Sequence, residues 1–182
     1  MIIAITGTPG TGKTDLSRAL RNNGYKVVSL NKIISEKEFI IEYDEKRDTK
    51  IVDIKKTNQY IEKKYFGEKL IFVDGHLSHL LDCVKKVIIL RCHPKILKKR
   101  LTKRDWNEKK IYENFEAEAL DIILCETVEK FDKDDIFEID TSNLDPDGLF
   151  LIISEIINNY FKIDDRYSIG KIDWSDTLLE EK

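Results

Sequence analysis

The segment from Gly7 to Thr14 constrains the fold of this chain more than any other. It reads Gly-Thr-Pro-Gly-Thr-Gly-Lys-Thr and fits the pattern Gly-x-x-x-x-Gly-Lys-[Ser/Thr] at every fixed position. An Ile-rich run, 2–6, precedes it, and a segment with helical spacing, 15–22, follows it. Glycines let consecutive backbone N–H groups turn inward as an anion site at a helix N-terminus, and the Lys13 charge suits a triphosphate. The sequence therefore predicts a phosphate-binding loop (P-loop) that holds ATP with Mg²⁺.

Short apolar runs alternate with segments of helical spacing along the rest of the chain. The runs that predict strands are 2–6, 25–30, 70–73, 87–90 and 136–139. Strands that alternate with helices pair in parallel, and the helices cover both faces of the sheet. The predicted fold class is therefore α/β, with a five-stranded parallel sheet flanked by helices on both faces.

The length of 182 residues is typical of one domain. We expect a single domain over 1–162 and a C-terminal tail over 163–182. The tail is polar apart from a few apolar residues, Trp174 among them. Docking on the body, docking on a partner and loose attachment are all compatible with this composition.

Three local expectations concern loops and helix ends. Residues 42–50 are charged and aperiodic, which predicts an exposed, mobile loop. Asn31 is predicted to cap a short helix that extends to Phe39. One long helix is predicted to follow the basic segment 100–107 and to run to about Phe131.

Composition argues against several classes of protein. With 41% hydrophobic and 36% charged residues, the chain is expected to fold rather than remain disordered. The net charge of −3 gives no overall signal for nucleic-acid binding. Cys83, Cys92 and Cys125 form no Cys-x-x-Cys pair, so reduced thiols are favoured over a disulfide scaffold or a zinc site. No apolar run approaches the ~20 residues of a membrane span. We expect a soluble protein of the cytoplasm, or of the nucleus if its source is eukaryotic.

Two further candidate residues follow the third predicted strand. Asp74 comes directly after the apolar run 70–73, and an acidic residue at a neighbouring strand end commonly holds Mg²⁺ in P-loop proteins. An ordinary turn aspartate before Gly75 is the alternative, and the P-loop favours the Mg²⁺ role. His76 is predicted to orient a water or a phosphoryl oxygen. His79 is predicted only to fill or cap the loop.

A basic segment supplies candidate cations for the transferred group. From Lys95 to Lys110 there are eight Lys or Arg residues and two acidic residues. Arg100 and Arg104 are candidates to cover the charge that develops on a moving phosphoryl group. A solvated basic face and a phosphate-contacting patch for RNA are the alternatives.

Missing motifs argue against two P-loop classes. A GTPase would need Asn-Lys-x-Asp, and residues 31–34 read Asn-Lys-Ile-Ile. A mechanical ATPase would usually show Asp-Glu at the strand end, and Asp74 is followed by Gly75. The run from Arg100 to Arg104, just before a predicted long helix, is similar to the lid of nucleoside monophosphate kinases.

Within that group, the chain resembles the small adenylate kinases of archaea and eukaryotic nuclei that also act in maturation of the small ribosomal subunit. The stretches that carry the resemblance are GTPGTGKT, EYDEKRDTKIVD, VDGH and KRDWNEKKIYENFEAE. Together they cover the chain from the first strand to about Phe131. The resemblance implies the P-loop nucleoside monophosphate kinase fold, with a monophosphate-binding segment at 29–52 and a short lid at 103–113.

The resemblance also implies roles for individual residues. The implied ATP contacts are Gly10, Gly12, Lys13, Thr14, Asp15 and Arg104. The implied catalytic residues are Lys13, Asp74, His76 and Arg104. Thr14 is the implied direct Mg²⁺ ligand, and Asp74 is expected to hold Mg²⁺ through a bound water. Ordinary adenylate kinases continue Asp-Gly-Phe-Pro-Arg after the strand, whereas here His76-Leu77-Ser78 follows Gly75. Lys32 stands where an acidic residue is expected after the second strand.

Three functional hypotheses follow from these residues and from the resemblance. The first is an adenylate kinase, ATP + AMP ⇌ 2 ADP, with ATPase activity and with Arg104 closing over the transferred group. The second is an ATP-driven assembly factor, for which the resemblance implies a small-subunit ribosomal platform protein and pre-ribosomal RNA as partners. The third is another small-molecule kinase of the same fold, such as one that phosphorylates a coenzyme precursor. None of the three involves a membrane.

Overall fold

The computed structural model describes residues 1–44, 49–104 and 106–179. The strands are β1 (Ile2–Thr6), β2 (Val27–Ser29), β3 (Ile40–Asp44), β4 (Thr49–Val52), β5 (Ile71–Asp74), β6 (Lys86–Arg91) and β7 (Ile136–Asp140). The helices are α1 (Lys13–Asn22), α2 (Leu30–Glu36), α3 (Ile54–Lys64), α4 (Pro94–Thr102), α5 (Glu108–Ala119), α6 (Ile122–Val128) and α7 (Pro146–Asn158). Five of the strands form a parallel sheet in the order β2-β5-β1-β6-β7, which confirms the predicted fold class.

The five-stranded sheet is buried on both faces, as the near-continuous apolar runs predict. On one face, Ile3, Ile5 and Phe72 pack with residues of α1 and α7. On the other face, Ala4 and Val73 pack with residues of α2 and α3. The alternation of side chains along each strand therefore builds two cores, one under each helical layer.

The central position of β1 fixes where a site can form. β1 pairs with β5 on one side and with β6 on the other, and Ile5 lies opposite Asp74 in the register with β5. Parallel strands present their carboxyl ends at the same edge of the sheet, where ligands bind in open α/β folds. The loop that follows Thr6 therefore lies beside Asp74.

The prediction of an irregular loop at 42–50 was wrong for the residues that the structure describes, whereas the predicted exposure of Glu42, Tyr43 and Lys50 is confirmed. β3 and β4 form an antiparallel hairpin, with Tyr43 opposite Lys50. The register shifts between Ile40 and Glu42, and the middle residues of β3 are exposed. Without one apolar face, this hairpin shows no period-two pattern in the sequence. Residues 45–48 of the predicted loop lie outside the described residues.

The predicted long helix is interrupted, and the predicted cap of α2 is displaced. α5 ends at Ala119 because Asp121 adopts a left-handed conformation, with φ of 55°, before α6 begins. The carboxylate of Asp121 accepts a hydrogen bond from Arg91, which stabilises this break.

In α2 the cap is Ser29, whose hydroxyl accepts from the Lys32 N–H at 3.4 Å. Asn31 lies inside that helix, which ends before Phe39 is reached.

The described part of the C-terminal segment docks on the body of the protein. Tyr167 is buried and joins the core beneath α7. The Gly170 N–H donates to Glu138 at 3.1 Å. The Trp174 ring lies 5.0 Å from the Arg91 guanidinium and 5.7 Å from the His93 ring. Of the three arrangements that the composition left open, residues 163–179 show the first.

No helix within 1–44, 49–104 and 106–179 combines the length and apolar character needed to cross a membrane.

Candidate functional site

A cavity of about 710 Å³ opens at the carboxyl edge of the sheet. The P-loop, α1, the end of β5, the start of α2 and the first turns of α5 all contribute to its walls. The residues to which the resemblance assigns a catalytic, ATP-binding or Mg²⁺ role all lie on this lining, namely Gly10, Gly12, Lys13, Thr14, Asp15, Asp74, His76 and Arg104. The fold thus brings together in one place residues that are widely separated in the sequence.

The glycines of the P-loop are required by its backbone path. Gly10 has φ of +98°, and a Cβ there would lie 2.7 Å from the Leu97 Cδ1 atom. Gly7 has φ of +136°, and a Cβ there would lie 2.3 Å from the Leu90 carbonyl oxygen. Only glycine tolerates both the positive φ and the close approach. The P-loop is therefore packed tightly against β6 and α4.

Lys13 begins α1 and is held by the loop that it follows. Its Nζ atom donates to the carbonyl oxygens of Gly7 at 2.6 Å and Thr8 at 3.0 Å. Burial lowers the pKa of this ammonium to about 8, although the charges of Asp74 and Glu118 act in the opposite direction. Lys13 remains mainly protonated at pH 7, so it presents a positive charge at the floor of the cavity.

Asp74 is oriented by a helix residue that the sequence analysis did not single out. The Ser17 hydroxyl donates to the Asp74 Oδ2 atom at 2.8 Å. Directly after the strand, a Cβ at Gly75 would lie only 2.8 Å from the Leu30 Cβ atom, so the end of β5 is packed against α2. The carboxylate therefore faces the P-loop helix from a fixed strand end.

The donor atoms at this edge suit Mg²⁺. The Thr14 hydroxyl and the Asp74 carboxylate offer oxygen ligands, which Mg²⁺ prefers. Within the described ranges, no group of three or more His, Cys, Asp or Glu side chains could hold a metal ion. Mg²⁺ commonly takes only one or two protein ligands and completes its shell with water and phosphate oxygens. The residues present fit that mode of binding.

The two histidines after β5 occupy different environments. His76 lines the cavity, and burial, with the charge of Lys13 as the next cause, lowers its pKa to about 4. Its ring is neutral at pH 7. His79 is buried away from the cavity lining, with Nδ1 3.0 Å from the Thr6 hydroxyl and Nε2 2.9 Å from Glu126. Burial lowers the pKa of His79 as well. His79 ties the end of β1 to α6.

The two candidate arginines also occupy different positions relative to the cavity. Arg100 donates to the carbonyl oxygens of Thr141 at 2.8 Å and Ser142 at 3.2 Å, so it anchors the chain after β7. Arg104 is exposed and lines the main cavity. It also lines a second cavity, of about 370 Å³, between the P-loop and residues 141–149. Arg104 is therefore the arginine that lies between the two cavities.

The start of α5 adds lining residues that the sequence analysis did not assign. Trp106 and Lys110 face the cavity, with the Lys110 Nζ atom 5.1 Å from the centre of the Trp106 ring. Asn114 lies one turn after Lys110 on the same lining. Four-residue spacing in a helix would identify the pair, as it would identify Ser17 four residues after Lys13. Asp105 of the predicted lid lies outside the described residues.

A buried ionic cluster lies behind the P-loop. Arg91, at the end of β6, donates to Glu118 at 2.8 Å and also bonds to Glu138 and Asp121. Burial opposes the charge of the guanidinium, but the three carboxylates, Glu118 first, raise the pKa of Arg91 well above its usual range. Burial raises the pKa of Glu138. The Thr8 hydroxyl of the P-loop donates to the second oxygen of Glu118.

Comparison with known proteins places the chain in a family. Residues 3–121 match a family model described as an AAA domain. The chain is 41% identical to "Putative adenylate kinase" of Methanocaldococcus jannaschii, over 99% of this chain and 96% of that protein. It is 38% identical to the protein of the same name from Archaeoglobus fulgidus, over 98% and 94% of the two chains. The chain belongs to this P-loop kinase family.

Solved structures confirm the fold of the family member described here. Shikimate kinase from Bacteroides thetaiotaomicron has a TM-score of 0.60 at 18% identity, over 87% of this chain and 98% of that one. Deoxyadenosine kinase from M. mycoides with bound dATP has a TM-score of 0.54 at 18% identity, over 87% and 100%. At these identities the likeness supports the fold alone.

Proposed function

We propose that this protein is an adenylate kinase that catalyses ATP + AMP ⇌ 2 ADP with Mg²⁺. The observation that carries the proposal is that Lys13, Asp74 and Arg104 line one cavity that extends to Ser29 and Asn31. Ser29 and Asn31 lie at the start of the predicted monophosphate-binding segment, so donor and acceptor can approach from opposite walls. The names of the archaeal relatives, which match over nearly the full length, support the same activity.

The donor nucleotide binds on the P-loop side of the cavity in this proposal. The backbone N–H groups of the loop and the N-terminus of α1 bind the phosphates, as in other P-loop proteins. The Lys13 ammonium exchanges the carbonyl oxygens of Gly7 and Thr8 for phosphate oxygens. The second cavity, between Arg104 and residues 141–149, is contiguous with the loop and receives the nucleoside part of ATP.

The chain's own residues position and neutralise rather than react covalently. The bond between the γ-phosphorus of ATP and its bridging oxygen breaks, and a bond to an AMP phosphate oxygen forms. Thr14 and Asp74 would hold Mg²⁺, which would supply neutralisation of phosphate charge. Arg104 covers the transferred group from the lid side. His76, neutral at pH 7, contributes one hydrogen bond to a phosphoryl oxygen or to a water.

The acceptor side uses different cations from those of ordinary adenylate kinases. The Asp-Gly-Phe-Pro-Arg arginine is absent, because Leu77-Ser78 follows His76. Arg21 and Lys110 line the same cavity as Ser29 and Asn31. We assign the AMP phosphate to these two cations. A slow ATPase activity is expected when no acceptor is bound, since the exposed Arg104 shows that water reaches the cavity from the lid side.

The assembly-factor hypothesis, with a small-subunit ribosomal protein and pre-ribosomal RNA as partners, rests on the resemblance of the sequence. The apolar residues of the tail would favour docking on such a partner, but Trp174 among them packs against the Arg91 guanidinium. We therefore favour adenylate kinase activity. The assembly role would be favoured only if ATP turnover proved slow and independent of every acceptor.

The test is ADP formation from ATP and Mg²⁺, measured with and without AMP, with CMP, UMP and a coenzyme precursor as competing acceptors. AMP should raise turnover by at least about 100-fold, because water is a poorly positioned acceptor by comparison. Lys13→Met should abolish turnover. Lys86→Met is the matched control, because Lys86 is a partly buried lysine that pairs with Asp135 at 2.5 Å, outside the cavity lining.

Each outcome assigns the protein differently. Retained activity in Lys13→Met would refute the assignment of the P-loop as the ATP-binding segment. A slow rate that is indifferent to every acceptor would favour an ATPase switch that acts with a partner. A preference for another acceptor would keep the kinase and change its substrate.

A further inference from the structure

Thr8 is the P-loop residue whose side chain is bonded to the protein behind the loop. It occupies a variable position of the motif and is 2% exposed. Its carbonyl oxygen accepts from the Thr11 hydroxyl at 2.9 Å and from the Lys13 Nζ atom at 3.0 Å. Its own hydroxyl donates to Glu118 on α5. Thr8 therefore joins the hydrogen bonds within the loop to a residue outside it.

Glu118 is itself fixed at both carboxylate oxygens. One oxygen accepts from the Arg91 Nε atom at 2.8 Å and from the Cys92 N–H at 3.0 Å. The other oxygen accepts from Thr8. Arg91 also donates to the Glu118 backbone carbonyl at 3.1 Å, and the Glu118 residue is 3% exposed. This carboxylate cannot swing to another partner without leaving buried groups unsatisfied.

The charge of Glu118 does not favour the ligand. An anionic side chain behind a loop that binds triphosphate repels that ligand, and Arg91 faces three carboxylates with a single positive charge. A purely electrostatic role would therefore oppose ATP binding. The Glu118 carboxylate instead contributes a fixed hydrogen-bond acceptor for the Thr8 hydroxyl of the P-loop.

We propose that Glu118 is a positioning residue for ATP binding, because it holds Thr8 and thereby fixes the P-loop backbone, with its N–H donors, in the phosphate-binding arrangement. Arg91, anchored by Glu138 and Asp121, holds Glu118 in turn. Preorganised hydrogen-bond donors need no rearrangement when the ligand binds. Loss of the hydrogen bond between Thr8 and Glu118 should therefore weaken ATP binding. The inference rests on the ATP-binding part of the proposed function and does not depend on the acceptor.

The test is the dissociation constant of Mg-ATP, measured by calorimetry on the full chain. Thr8→Val keeps the shape of the side chain but removes the donor, and we expect about ten-fold or greater weakening. Thr8→Ser restores the hydroxyl and should bind within about two-fold of the wild type. The matched control is Thr57→Val, because Thr57 is 0% exposed and its hydroxyl donates to the Asp53 carbonyl at 2.7 Å, away from the cavity. It should lose stability and leave ATP binding unchanged.

A second measurement separates positioning from general stability. Amide hydrogen exchange over the P-loop, recorded without ligand, should be faster in Thr8→Val than in Thr57→Val at equal thermal stability. Glu118→Gln can still bond to Thr8 through its amide, so we expect it to retain more ATP affinity than Thr8→Val.

Three results would overturn the proposal: Thr8→Val binds ATP like the wild type, Thr8→Ser is as weak as Thr8→Val, or Thr57→Val weakens binding equally. Since ATP binding is measured without AMP, absence of AMP-dependent turnover in the wild type would refute the adenylate kinase proposal and leave this result intact.

Discussion

Replacing Arg91 by methionine tests how the buried cluster contributes to stability. The Arg91 side chain is 3% exposed, as is that of Glu118, and that of Glu138 is 1% exposed. The variant removes the only cation that these contacts contain and leaves three carboxylates facing each other. Breaking a buried ion pair on one side costs about 3–5 kcal/mol, against a total stability of about 5–15 kcal/mol. At about 2–4 °C per kcal/mol for a domain of this size, the melting temperature should fall by roughly 6–20 °C.

The pH dependence of this loss has a definite sign. Burial already raises the pKa of Glu138 while Arg91 is present, and removal of the guanidinium raises it further. A carboxyl group with a raised folded-state pKa contributes stability below its unfolded pKa and loses it as the pH rises through the folded value. The deficit of Arg91→Met relative to the wild type should therefore be larger at pH 8 than at pH 5.

The assay is chemical unfolding of the wild type and the variant at both pH values, with Arg166→Met as the matched control. Arg166 also bonds to two carboxylates, Glu155 and Asp164, but its side chain is 57% exposed. Solvent screens that pair, so its loss should be a small fraction of the loss at Arg91. Equal losses for the two arginines, or a deficit that shrinks from pH 5 to pH 8, would refute the reasoning.

Three further predictions concern the cavity. Gly10→Ala should weaken ATP binding far more than Gly24→Ala, as calorimetry will show, because both residues have positive φ but only position 10 has side chains within 4 Å of the added Cβ. Ser17→Ala removes the donor to Asp74 and should reduce kcat/KM about ten-fold with a smaller change in the dissociation constant of ATP; equal changes would contradict an orienting role. With a pKa of about 4, His76 should stay neutral in an NMR titration from pH 8 to 5. Unfolded histidine binds its proton near pH 6.5, so the wild type should lose stability faster than His76→Gln as the pH falls from about 6.5 to 4.

The part of the site that is predictable from the sequence has local causes. The P-loop needs glycine, lysine and threonine at fixed spacing, because the backbone must turn around an anion within eight residues. Asp74 is recognisable because it ends an apolar run, and a parallel sheet brings strand ends together. The sheet follows from the same alternation of strand and helix.

The missed features depend on tertiary contacts instead. Glu118 lies in a helix with several other glutamates, and only the position of Arg91 in the fold distinguishes it. No glycine or proline marks the break at Asp121 in the sequence. The left-handed conformation of Asp121 is stabilised by an ionic contact with Arg91 on β6, which is distant in the sequence. The hairpin of β3 and β4 lacks a buried face, so it gives no periodic signal.

The position of β1 has a consequence for biosynthesis. β1 is synthesised before both of its neighbours in the sheet, β5 and β6, and β6 ends only at Arg91. At about 5–20 residues per second, roughly 4–17 seconds separate the synthesis of Thr6 from that of Arg91. During that interval the Ile-rich β1 lacks one or both of its partner strands, and such segments are prone to pair with other chains. The nascent chain should therefore depend on chaperones most strongly before β6 emerges, and nucleotide can stabilise it only afterwards.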